Sequence, residues 1–353
     1  MKKFIFVLLA LVVLAVSVPV FAEGELIGVA MPTNSLQRWN QDGNNMKTQL
    51  EKAGYKVILE FANNDVALQI SQLENMILND VKLLVVASID GGALGDVLKT
   101  AKDNGIPVIA YDRLITGTEY VDYYTSFDNY RVGKFQGDYI VKALDLENAA
   151  GPFNIEFFGG SPDDNNAHLF YQGAIDVLQP YLDSGKLVCP SGQIDFNTVA
   201  ILGWGTDDAQ ARMDNLINSY YADGKTKLDV VLSPNDSLAL GIANSLKAAG
   251  FTLDNWPIIT GQDCDIPNTI NLIQGYQAMS VFKDTRTLAE RTVKMASQIL
   301  NGEEVEVNNT TDYDNGVKVV PSYLCDPVVV DKSNYKEMLI DSGYYTEDQI
   351  AVK

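Results

Sequence analysis

Short apolar runs alternate with helical patterns along almost the whole chain, and this rhythm restricts the fold more than any other feature. Leu26-Ile27-Gly28-Val29-Ala30 reads as a short buried strand. Leu36, Trp39, Gly43, Met46 and Leu50 then recur at helical spacing until Gly54 ends the helix. The pattern repeats with strands at Val57–Leu59, Leu83–Ala87 and Pro107–Tyr111. Helical positions Val66, Ile70, Leu73 and Ile77, then Leu94, Val97, Leu98 and Ala101, lie between them. Further strands are expected at Ile155–Phe158, Leu187–Val188, Val230–Ser233, Ile258–Thr260 and Met279–Phe282. Continuous apolar strands alternating with amphipathic helices imply an α/β fold whose parallel sheets are covered on both faces. The strands are too many for one compact sheet, so two α/β domains are expected. No linker-like or low-complexity stretch separates them, which fits crossovers between packed lobes better than a flexible tether. Val317–Val320 and Val328–Val330 break the rhythm and read as a last crossing or an edge hairpin.

The first residues read as an export signal. Lys2 and Lys3 precede an apolar run from Phe4 to Val16, and Val20-Phe21-Ala22 supplies the small residues of a cleavage site after Pro19. The rival reading is an uncleaved anchor, since Phe4–Ala22 is just long enough to span a bilayer. Cleavage is favoured, leaving residues 1–22 as signal peptide, a mature start at Glu23 and a periplasmic product. The chain carries 26 Lys and Arg against 46 Asp and Glu, a net charge of −20. Such an excess of acid repels phosphates and anionic membranes, so nucleic acid is not an expected partner. Cys189, Cys264 and Cys325 match no metal spacing. One disulfide with an odd thiol, or three unpaired thiols, both fit an oxidising compartment.

Open α/β sheets bind ligands beyond the carboxyl ends of their strands. The polar and aromatic residues at those points are Met31, Asn34, Arg38 and Trp39, then Ser88 and Asp90, then Asp112 and Arg113. In the second half they are the run Gly159–Asn166, Trp204, Asn235 with Asp236, Gln262 with Asp263, and Lys283 with Asp284. Ionised Asp accepts hydrogen bonds, Arg and Lys donate, and Asn does both, which suits hydroxyl groups. Trp39 or Trp204 offers a flat face for the C–H side of a pyranose. Charges of both signs suit a neutral polyol better than an ion. Each residue has a plainer reading: Asp236 as a helix cap, Trp39 as core, Asp112 with Arg113 as a surface ion pair. Trp204, between Gly203 and Gly205, is the hardest to assign to packing. The recurrence after successive strands carries the weight.

Enzymatic readings find little. His168 is the sole histidine, and no G-x-S-x-G, P-loop or G-x-G-x-x-G motif is present. No cofactor or metal site is expected. A secreted glycosidase would need paired carboxylates, and the adjacent Asp163 and Asp164 are poorly placed to face each other across a substrate. A sugar-responsive repressor would need a DNA-binding helix pair where the export signal stands.

These same residues carry a family resemblance. Ala30-Met31-Pro32-Thr33, Arg38-Trp39, Val86–Gly91, Ala110-Tyr111-Asp112-Arg113-Leu114-Ile115 and Phe127-Asp128-Asn129 match, as do Gly159–Ala167, Gly261-Gln262-Asp263 and Phe282–Arg286. Asn315–Leu324 and Gly343-Tyr344-Tyr345 continue it. Across nearly all of the mature chain the sequence resembles the periplasmic multiple-sugar-binding receptors of the ChvE type, with xylose-binding proteins as relatives. The resemblance implies a type I periplasmic binding protein: two Rossmann-like lobes with parallel sheets, joined by three crossings and closing on a sugar. It implies an N-terminal lobe of residues 23–127 with 283–312 and a C-terminal lobe of 128–282 with 313–353. Sugar contacts would fall on Arg38, Asp112, Arg113, Asn166, Trp204, Asn235, Asp263 and Lys283, with Trp39 beside them. The expected role is a monomeric, non-enzymatic receptor for a monosaccharide of the xylose, glucose, galactose or arabinose class. Its partner would be the membrane permease of an ABC importer; the alternative is a sensor reporting occupancy to a chemoreceptor or histidine kinase.

Overall fold

The computed structural model describes residues 24–352 except 223 and 225, so the expected signal peptide and mature start lie outside the described residues. The first half folds as β1 (Leu26–Met31), α1 (Gln37–Lys52), β2 (Lys56–Phe61), α2 (Val66–Leu78), β3 (Leu83–Val86), α3 (Gly95–Asp103), β4 (Val108–Tyr111) and β5 (Tyr123–Phe127). Next come α4 (Asn129–Ala143), β6 (Phe153–Phe157), α5 (Asn165–Asp183), β7 (Leu187–Val188), α6 (Phe196–Val199), α7 (Thr206–Leu216), β8 (Val230–Leu232), α8 (Asp236–Ala248), β9 (Ile258–Ile259), α9 (Ile266–Gln274) and β10 (Met279–Phe282). The chain ends through α10 (Thr285–Leu300), β11 (Ser322–Cys325) and β12 (Val328–Asp331).

The strands form two separate layers. One sheet runs β11-β5-β4-β3-β1-β2, and every pairing in it is parallel. The other runs β7-β6-β8-β9, also parallel. The antiparallel pair β10-β12 continues this second sheet through a bridge between Gln262 and Val281. The burial of β1, β3 and β4 explains their uninterrupted apolar sequences: almost every residue in them is inaccessible. Helices cover the sheets, with α1 packed on α10, α4 on α5 and α7 on α8.

The chain passes between the sheets three times: after β5, after β10 and after β11. The first two passages are residues that also start helices. Asp128 caps α4 by accepting from Arg131 N at 3.0 Å, and Asp284 caps α10 by accepting from Arg286 N at 2.9 Å. The third corrects the expected assignment of 313–353 to the second lobe. Ser322–Cys325 pair with β5 in the first sheet, and Tyr313 and Val320 are buried in the first lobe's core. The chain therefore crosses after Cys325. Val317–Val320, expected as part of a last crossing or an edge hairpin, is a loop with one bridge from Val319 to Asp314. Val328–Asp331 pairs with β10 and is the last crossing's strand.

Candidate functional site

Arg38 is placed in the first turn of α1, after the loop that follows β1, and is almost fully buried. Its guanidinium meets three carboxylates: Nε with Asp42 Oδ2 at 2.5 Å, Nη2 with Asp112 Oδ2 at 2.7 Å and Nη1 with Asp263 Oδ1 at 2.6 Å. Asp42 and Asp112 belong to the first lobe and Asp263 to the second, so this fork spans the cleft. Lys283, on the second crossing, lies 3.2 Å from Asp263 and 3.8 Å from Asp112. Burial pushes the Asp112 carboxyl up, but Lys283, Arg38 and Arg113 together hold it below the ordinary carboxylate value. Asp112 therefore stays ionised and accepts hydrogen bonds.

A second cross-cleft group lies beside the first. Arg113 Nε sits 2.9 Å from Asp164 Oδ2, and its Nη1 donates to the Ser88 carbonyl at 3.0 Å. The same Asp164 oxygen accepts from Trp204 Nε1 at 3.2 Å, while its other oxygen caps α5 at Asn166 N. Burial raises the Asp164 carboxyl against the pull of Arg113. Asn166 donates to the Asp112 carbonyl at 2.7 Å and accepts from Tyr124 and Asn129 at 3.1 and 2.9 Å. One N–H of its amide is left for another acceptor. Asn235 caps α8 through Leu238 N at 3.1 Å, which occupies its oxygen and leaves its amide nitrogen without a partner among the described residues.

Aromatic rings close the remaining sides. The Arg113 guanidinium lies over Trp39, with Cζ 5.0 Å from the indole centroid. Trp204 meets Phe170 edge to face at 6.3 Å. Gly160 makes room for the indole: a Cβ there would stand 2.0 Å from Trp204 Cη2. Asp112, Trp204 and Asp263 all adopt positive φ, at 59°, 58° and 96°. Such backbone costs about 1 kcal/mol or more per residue and persists only where the surroundings impose it. Asp112 N bonding to the Thr125 carbonyl and Asp263 N bonding to the Val281 carbonyl provide that hold.

All nine residues expected from the sequence line one hollow of about 400 Å³, its mouth included. Leu36, Asp164, Phe170, Ser237 and Gln262 also line it. Phe170 follows Asn166 by four residues on α5, so helical spacing was the signal that would have found it. From the same strand ends, Met31, Asn34, Ser88, Asp90, Asp236 and Asp284 do not line the hollow. Asp236 instead holds the loop after β9, accepting from Asp265 N, Gln277 and Ser280. His168 is exposed on α5 and stacks on Phe196. Asp163 accepts from Ser161 and does not line the hollow. The three cysteines are unpaired, and the described residues hold no cluster of metal-ligating side chains. Among the described residues no helix is long and apolar enough to cross a membrane.

Known proteins are similar to this chain over most of their length. The multiple sugar-binding periplasmic protein SbpA of Azospirillum brasilense is 54% identical over 325 residues, covering 92% of this chain and 90% of that one. The multiple sugar-binding periplasmic receptor ChvE of Rhizobium radiobacter is 52% identical, covering 94% of both. A crystal structure of an ABC transporter solute-binding protein from Clostridium phytofermentans with bound β-D-glucose is 60% identical. It superposes with a TM-score of 0.90, covering 93% of this chain and all of that one. The periplasmic binding protein domain model matches residues 27–304. With this match, the two parallel sheets and the three crossings, the chain belongs to the periplasmic binding protein family.

Proposed function

We propose that this chain is a periplasmic receptor that binds a neutral monosaccharide between its lobes and delivers it, unaltered, to the permease of an ABC importer. The single observation that carries the reading is the hollow's wall. It sets the carboxylates Asp112, Asp164 and Asp263 and the cations Arg38, Arg113 and Lys283 around flat aromatic faces. Carboxylates accept from sugar hydroxyls, cations and amides donate to them, and Trp39, Trp204 and Phe170 face the ring's C–H bonds. Each lining carboxylate is engaged by a cation, Asp112 by Arg38, Asp164 by Arg113 and Asp263 by Lys283, which favours holding a sugar over attacking it. Relatives of the same length are periplasmic sugar-binding proteins, which supports export through the N-terminal segment.

β-D-glucose in the Clostridium phytofermentans structure makes glucose the first ligand to try. Isothermal calorimetry of the purified chain against D-glucose, D-xylose, D-galactose and L-arabinose is expected to give one-site binding to at least one of them. Asp263→Ala removes a charged acceptor and should weaken that binding by about 2 kcal/mol or more, with the far-UV spectrum unchanged. No heat with any aldose, or turnover of an aryl glycoside, would reject the reading.

A further inference from the structure

Gln37 stands immediately before Arg38 on α1, and Tyr345 lies near the C-terminus. Neither lines the hollow, yet together they tie the lobes at its edge. Gln37 Nε2 donates to Tyr345 Oη at 2.7 Å, and Gln41 Nε2, one turn further, donates to the same oxygen at 3.1 Å. Tyr345 Oη in turn donates to the Cys264 carbonyl at 2.9 Å. Gln37 Oε1 accepts from Ile266 N at 3.1 Å. Gln37 and Gln41 sit on the first lobe. Tyr345 is buried in the second lobe's satellite core with Cys264, Leu272 and Phe282. Three of these four hydrogen bonds therefore span the cleft.

The start of α9 explains why the contact is needed. A helix's first amides have no partner within the helix. Asp265 occupies the capping position, but its side chain accepts no bond from the first turn. Gln37 supplies that acceptor from the opposite lobe. Separating the lobes returns Ile266 N–H, Tyr345 Oη and both glutamines to water, so the bonds contribute only in the closed arrangement. Tyr345 is itself fixed by its neighbour: Tyr344 packs edge to face on Phe282 and on Tyr345, and Arg286 lies over the Tyr344 ring at 4.9 Å.

We propose that Gln37 and Tyr345 are positioning residues forming a latch that sets how slowly the bound sugar leaves. The proposal rests on the sugar-receptor reading. Bonds made only after closure stabilise the closed complex without touching the encounter between sugar and open lobes. Their loss therefore shows in dissociation.

Stopped-flow tryptophan fluorescence of the full chain with D-glucose tests this on the wild type, Gln37→Ala and Tyr345→Phe. The phenylalanine keeps the ring and removes only the hydroxyl. Each variant should release D-glucose about three to ten times faster, the range expected for one or two net hydrogen bonds. The association rate should stay at the wild-type value in both variants, and the sugar-free thermal midpoint in Gln37→Ala, whose lost bonds all span the cleft. A wild type that binds while both variants release at the wild-type rate, or lose affinity through association, overturns the latch alone. A wild type silent toward D-glucose, D-xylose, D-galactose and L-arabinose overturns the sugar reading, and the latch with it.

Discussion

Asp42 does not line the hollow, yet it aims the group that does. It takes Arg38 Nε on one oxygen and the Tyr111 hydroxyl on the other, so the outer two nitrogens of the guanidinium are turned toward Asp112 and Asp263. Burial pushes its carboxyl up to about 6, against the opposing pull of Arg38. The folded chain thus binds this proton more tightly than the unfolded chain does. The associated stability is fully present below the usual value of 3.8 and is lost as pH rises through about 6. Asp42→Asn should remove that dependence. Urea unfolding of both proteins between about pH 4 and pH 7 should show the wild type losing on the order of 3 kcal/mol more than the variant across the window. Parallel profiles would show that Asp42 carries no such linkage. The residues at strand ends were readable because fold topology fixes where a ligand must lie. Asp42 was not, because an acidic residue on an amphipathic helix ordinarily marks the solvent face, and here it marks a buried ion pair.

Among the elements, α4 and α5 show how close packing shapes the cleft. A Cβ on Gly133 would lie 1.8 Å from the Phe170 carbonyl oxygen, and one on Gly173 would lie 2.1 Å from that of Tyr130. The two helices touch backbone to backbone, and the contact sets the position of Phe170 at the hollow. Gly133→Ala should lower unfolding stability by about 1–3 kcal/mol through overpacking and weaken D-glucose binding as Phe170 shifts. A variant within about 0.5 kcal/mol of wild type would mean that the helices part without cost. The apolar strands were legible at this scale, and the polar ones were not. β5, Tyr123-Tyr124-Thr125-Ser126-Phe127, has no apolar run, yet Thr125 and Ser126 are fully buried. Their hydroxyls are satisfied by Thr292 and by the Asp112 carbonyl. Val317–Val320 misled in the opposite direction. Asn315 folds that segment into a turn, accepting from Val317 N and Lys318 N and donating to the carbonyls of Ile115 and Thr118. Side-chain hydrogen bonds of this kind compete with strand pairing.

Across the whole molecule, the sequence rhythm led to two lobes because a parallel strand buried on both faces leaves little freedom in composition. The third crossing was harder to read, because β11 returns to a sheet that the chain left at Phe127. That return places Asp326 against Arg131 at the start of α4, so the first and third crossings are also joined by an ion pair. The lobes close on a wall of three carboxylates and three cations within a chain of net charge −20. Because the wall's own charges cancel, an uncharged guest meets little long-range field, and dissolved electrolyte has little to screen. Raising sodium chloride from about 20 mM to about 500 mM should leave D-glucose affinity within about twofold. D-glucuronate, the same ring with a carboxylate in place of the C6 hydroxymethyl group, should bind far more weakly and with a steep dependence on ionic strength. The protein would then draw a neutral nutrient out of brine and fresh water alike.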